Sequence, residues 1–289
     1  MADKIKRRHR GSPGWALLLA WLSTLLLTAL ALLLTLLTTI CSENFMRKQV
    51  ARSHFADYAY SYLYDNFVSY GSSTGFEEDV ITSTISREQI NADMEQAVTD
   101  LYAGNTAVNA RENVTSEIND VLLADLASRG KDVTEDVSSA VEIVADACRL
   151  DYANYVAIPL ASQLYTVITK IERLLLPGMV GTAVLCAAAL CLMIRLAGGS
   201  RFGVRCLTFT FLASALLCTL GATVLYPLLG LDNFSLEPAS IRALVLTYLQ
   251  NMFGSLGIFA AIYALIALIL LALMFTAHHQ LKHHYKQKP

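Results

Sequence analysis

An all-α chain that crosses a membrane four times, with a helical bundle outside the cytoplasm inserted between spans 1 and 2, is the fold class the sequence predicts. Three observations predict it. Long apolar runs carry no charge, basic residues gather in the flanks that fall on one side of those runs, and the acidic stretch between the first two runs is full of helix start and stop signals. Hydrophobic residues make up 55% of the chain and charged residues 16%, against ~25% charged in ordinary soluble domains.

The elements follow in order. Residues 1–14 form a basic head, with Lys4, Lys6, Arg7, Arg8 and Arg10 against Asp3 alone. Residues 15–40, from Trp15 to Ile40, are uncharged and would extend about 39 Å as a helix, enough to cross a hydrocarbon layer of roughly 30 Å with tilt. The triplet Ala29-Leu30-Ala31 resembles a processing site, but the apolar run continues beyond it, so this segment reads as transmembrane helix 1 rather than a cleaved signal.

Residues 41–174 form the extracytoplasmic acidic domain, and within residues 41–173 there are 21 acidic and 10 basic side chains. A helix is expected to continue out of span 1 through Phe45, Phe55, Tyr58 and Tyr62 to about Phe67, and to break over Tyr70–Gly75. Ser86 followed by Gln89 is a capping-box pattern, with Ile90, Met94, Val98 and Leu101 as the apolar face and Gly104 as the stop. Val114, Ile118, Val121, Leu122 and Leu126 mark a third helix ending at Gly130. Asp132 and Glu135 open a fourth, with Val137, Val141, Val144 and Cys148 on one stripe, which Pro159 kinks or interrupts. Antiparallel packing of these helices gives a small bundle.

Span 2 covers residues 175–194, and a basic loop follows at 195–205 with Arg195, Arg201 and Arg205. Span 3 covers 206–229. The outer loop 230–252 contains an amphipathic helix that starts after Glu237-Pro238 and carries Ile241, Leu244, Tyr248, Leu249 and Met252. Span 4 covers 253–276, and the tail, 277–289, is rich in His and Lys. Head, loop and tail together hold eleven basic residues and one acidic residue, which places both termini in the cytoplasm. Basic flanks and sparing cysteine use suit a bacterial cell membrane.

Candidate functional residues are few. No ionisable side chain falls inside the four spans, which removes the usual hardware of a proton relay or a charge-lined channel. Thr24, Thr28 and Thr35 form a hydroxyl stripe on span 1, and Gly257, Ala261 and Ala264 form a small-residue stripe on span 4; both suit close helix packing, within one chain or in a homo-oligomer. Tyr58, Tyr60, Tyr62 and Tyr64 present a possible outer contact surface. Glu77, Glu78 and Asp79 lack the ligand spacing of a calcium loop and read as a helix start. His279 and His283, one helical turn apart, are weak metal candidates, with no cysteine or carboxylate to complete a site.

No phosphate-binding loop, zinc-protease helix or nucleophile motif is present, and no cofactor or nucleic-acid partner is implied. The expected function is that of a non-enzymatic multi-pass membrane protein, in contact with the lipid bilayer, whose extracytoplasmic domain senses, binds or scaffolds a membrane or envelope protein partner. One span, a large domain and then three spans is an order similar to that of mechanotransmitting ABC-type permeases. That resemblance of topology implies, as the alternative, a permease-like subunit working with a separate ATPase.

Overall fold

The structure is a computed structural model and describes residues 13–105, 114–158, 160–197, 200–230 and 236–286. Among these residues the regular structure is entirely helical: α1 (Pro13–Thr39), α2 (Glu43–Arg52), α3 (Phe55–Thr74), α4 (Glu78–Thr82), α5 (Arg87–Ala103), α6 (Val114–Ser128), α7 (Glu135–Val156), α8 (Ala161–Leu196), α9 (Ser200–Leu228) and α10 (Ala239–Lys286). The chain forms two compact units, one from residues 1–39, 171–231 and 250–289, the other from 40–170 and 232–249. Helices α8 and α10 contribute residues to both.

The first unit contains the long apolar stretches. Among the described residues four helices are long and apolar enough to cross a membrane, and only 17% to 28% of the most apolar window of each is buried. Leucines that cover their outer surfaces, such as Leu174, Leu216 and Leu268, are largely exposed, a distribution suited to lipid rather than water. Inside, small and hydroxyl residues bring the helices together: Ala31 of α1, Cys186 of α8, Cys218 of α9 and Ala260 of α10 share one buried cluster. A Cβ on Gly221 of α9 would lie 2.7 Å from Leu256 Cδ2 of α10, so the two helices come close together there.

The hydroxyl stripe on α1 mostly bonds to its own helix. Thr24 donates to the Ala20 carbonyl at 3.0 Å and Thr28 to the Thr24 carbonyl at 2.9 Å, while Thr35 is buried without a partner for its hydroxyl. The cross-helix donors come from elsewhere. Tyr263 of α10 donates to the Leu27 carbonyl at 2.9 Å, while Ser214 and Thr210 of α9 donate at 2.9 Å within their own helix and share that hydrogen with the Thr24 carbonyl at 3.3 Å and the Ala20 carbonyl at 3.4 Å. On α10 the buried line is Leu256, Ala260, Tyr263 and Ala267; Gly257 and Ala264 flank it half-buried, and Ala261 is exposed.

The second unit is a helical bundle with its own core. Phe55, Leu63 and Phe67 of α3, Ile90, Met94 and Val98 of α5, Ile118 and Leu122 of α6, and Val141, Cys148 and Tyr152 of α7 meet there, fully or nearly buried. Each large side chain moved out of water in this way contributes about 1.5–3 kcal/mol. Leu244 of α10 joins the same core, with Ile241 packed against it.

Two expectations about helix limits are corrected. The chain does not continue as one helix from span 1 to Phe67, because it breaks twice. Ser42 is extended and its side chain caps α2 by accepting from the Phe45 N–H at 3.3 Å, and His54 adopts a left-handed conformation, φ 55°, before α3. Nor is Tyr70–Gly75 a break, since α3 runs on to Thr74 and stops at Gly75, φ 81°. The capping box behaves as expected: Ser86 accepts from the Gln89 N–H at 3.1 Å, and α5 ends at Gly104, φ 80°, with the Tyr165 ring so near that a Cβ would meet it at 2.8 Å. The amphipathic stretch after Pro238 and span 4 belong to one uninterrupted helix, α10. Pro159 lies outside the described residues.

Candidate functional site

Helix α3 turns about 100° per residue, so tyrosines two apart cannot share a face. Phe55, Ala59, Leu63 and Phe67 point into the core and leave the tyrosines on the two flanks. On one flank Tyr60 and Tyr64 lie 5.8 Å apart between ring centroids, the Arg87 guanidinium sits 5.2 Å from the Tyr60 centroid, and the Tyr64 hydroxyl donates to Glu78. On the other, Tyr58 and Tyr62 are exposed, and Tyr62 stacks on Tyr155 of α7 with centroids 3.8 Å apart and planes 23° from parallel. The anticipated single tyrosine surface is thus split between two flanks by helix geometry.

The Tyr58/Tyr62 flank lines a cleft. Tyr58, Tyr62 and Tyr155 form its aromatic side, and Glu237, Pro238 and Ser240, at the start of α10, form the other; the volume is about 420 Å³. A polar anchor lies below. Tyr70 and Asn66 of α3 each donate to Asp151 Oδ2 of α7 at 2.8 Å, which fixes the helix carrying Tyr155 against the helix carrying Tyr62. Pro238 precedes the first residue of α10, and the first recorded helical bond of that terminus runs from the Arg242 N–H to the Pro238 carbonyl at 3.1 Å. The N–H groups before Arg242 have no acceptor within the helix, as at any helix start. The decisive detail is Ser240: it is 2% exposed and its hydroxyl has no hydrogen-bond partner, although it lines the cleft.

The chain matches no known protein family, no curated protein and no solved structure.

Electrostatically the cleft carries one carboxylate, that of Glu237. Burial pushes the Tyr155 hydroxyl well above its ordinary value, and the hydrogen bond with Tyr62 and the carboxylates of Asp151 and Glu237 add to the effect. The Tyr70 hydroxyl is pushed up to about 12, chiefly by donating to Asp151 and then by burial. What the arrangement offers chemically is recognition: exposed aromatic surface, one carboxylate, one buried hydroxyl and the electropositive end of a helix.

Tyr155, Glu237 and Ser240 are the residues that sequence reasoning missed as a site. Glu237 and Pro238 carry a legible helix-start signal, but nothing local announces that this start lies against α3 and α7. The remaining candidates are dispersed. Helix α10 extends through His279 and His283, whose side chains fall outside the described structure. Glu78 and Asp79 open α4 after Glu77, as expected of a helix start. Among the described residues no three His, Cys, Asp or Glu side chains gather into a group that could hold a metal ion.

Proposed function

We propose that this chain is a non-enzymatic, four-span protein of a bacterial cell membrane, with both termini in the cytoplasm, and that its helical bundle lies outside and senses, binds or scaffolds an envelope partner. The observation that carries this reading is a folded, acidic bundle with an open tyrosine-lined cleft, in a chain whose other unit exposes leucine-covered helices. The basic head, loop and tail support the orientation by the asymmetry of positive charge across a membrane. The bundle also carries Ile143 and Leu150 as large exposed apolar side chains on α7, which suits contact with another protein. A photo-crosslinking residue at Ile143, introduced in living cells, is expected to trap one recurring envelope protein. Adducts absent from this face in repeated trials would contradict the scaffold role.

The order of spans supports a second reading, a permease-like subunit moved by a separate ATPase. Co-purification of the detergent-extracted protein with an ATPase subunit would favour it, and a purified complex without one would count against it.

A further inference from the structure

We infer that the cleft between the Tyr62–Tyr155 stack and the start of α10 binds a free α-amino acid with an apolar or aromatic side chain. The inference rests on the reading above, that the bundle is a binding module, and deepens it by naming the ligand class. The volume, about 420 Å³, lies toward the small end of the range of roughly 300–1,000 Å³ in which small-molecule sites fall, and suits a ligand of amino-acid size.

The chemistry of the lining selects among small ligands. Ser240 presents a hydroxyl that is 98% withdrawn from solvent by the fold, with 2% exposure, and has no partner in the protein. An unanswered buried hydroxyl is destabilising, and a bound acceptor would relieve it. It stands in the first turn of α10, where free backbone N–H groups and the helix dipole favour an anionic oxygen. These groups call for a carboxylate. Glu237 lines the same cleft, has no ion pair recorded among the described residues, and calls for a cation.

A plain anion would meet repulsion from Glu237, and a plain amine would leave Ser240 and the helix terminus unanswered. A molecule carrying ammonium and carboxylate on one carbon answers both, because Glu237 and Ser240 flank the helix start at i and i+3. The exposed rings of Tyr58 and Tyr62 then receive the side chain, at little cost because phenolic rings have few rotatable bonds to order.

Isothermal titration of the purified full-length chain in detergent tests this with three probes that share one side chain: L-phenylalanine, phenethylamine without the carboxylate, and 3-phenylpropanoate without the ammonium. Saturable binding is expected for phenylalanine, weakened about tenfold or more by loss of either charge, since each charged hydrogen bond is worth about 1.5–3 kcal/mol. Glu237→Gln should weaken phenylalanine and phenethylamine while sparing 3-phenylpropanoate; Ser240→Ala should weaken phenylalanine and 3-phenylpropanoate while sparing phenethylamine. Helix content by circular dichroism verifies that both variants fold. No saturable binding of phenylalanine overturns the inference. So does phenethylamine binding as tightly as phenylalanine, which would point to a bare organic cation or an amine headgroup of lipid. Titration of purified protein does not depend on which side of a membrane the bundle occupies, so its failure is distinguishable from failure of the proposed orientation.

Discussion

The Tyr102 hydroxyl donates a 2.7 Å hydrogen bond to the backbone carbonyl of Ile40, the residue just after α1. Helix ends leave carbonyls without partners, and here a side chain from α5 supplies one where the chain turns from α1 toward α2. Burial pushes the Tyr102 hydroxyl far above its ordinary value, so it remains a donor at any physiological pH. Tyr102→Phe should destabilise the bundle by about 1–3 kcal/mol, because the carbonyl is left without its donor. Thermal unfolding followed by circular dichroism would measure this, and an unchanged midpoint would show that water replaces the phenol.

Cys148 lies at 0% exposure in the bundle core, and burial pushes its thiol up to about 12. A thiol that is neither accessible nor ionised does not react. At neutral pH it should be inert to a maleimide in the folded protein and react fully after denaturation. Stoichiometric labelling without denaturant would contradict the packing of α7 against α3 and α5.

Tyr70 makes stability depend on alkaline pH. Its hydroxyl has an ordinary value of 10 and is raised to about 12 in the fold by its bond to Asp151 and by burial. The folded state therefore holds this proton more tightly than the unfolded state, so the contribution is complete below pH 10 and is lost as pH rises toward about 12. Between those limits Tyr70→Phe should flatten the fall in unfolding midpoint, and an identical pH profile for the variant would remove Tyr70 from the account.

Gly221 and Leu256 set the distance between α9 and α10. Gly221→Ala should be mild, because the Cβ meets only the tip of the Leu256 side chain, at 2.7 Å, which can rotate away. Gly221→Leu has no such escape and should cost about 1–3 kcal/mol by overpacking. Tyr263→Phe, which removes the bond to the Leu27 carbonyl, should cost only about 0.6 kcal/mol, the usual worth of a hydrogen bond between helices in a membrane. Unfolding in a detergent series would rank the three variants.

Features written in local sequence were legible. Ser86 and Gln89 announce the start of α5, Gly104 its end, and the periodicity of Ile90, Met94, Val98 and Leu101 its buried face, because each depends on neighbours within a turn or two. The two breaks near Ser42 and His54 were not. Ser42 caps α2, but a lone serine with no Glu or Gln three residues on gives a weak start signal, and the enrichment of histidine in the left-handed region does not single out His54. The donors that reach from other helices toward α1, Thr210, Ser214 and Tyr263, were hidden because donor direction is settled by the partner helix. The cleft was least legible of all. It joins α3, α7 and the start of α10, and only tertiary packing brings Tyr62, Tyr155 and Ser240 to one place.

The sidedness of the bundle is the claim on which the proposed function stands. In a cysteine-free background, Glu77→Cys and Gly199→Cys place single thiols in the bundle and in the stretch of sequence between α8 and α9, and a membrane-impermeant maleimide is added to intact cells. Labelling at position 77 without permeabilisation, and at position 199 only after it, is the predicted result; the opposite pattern, or labelling of neither until the membrane is opened, would contradict it.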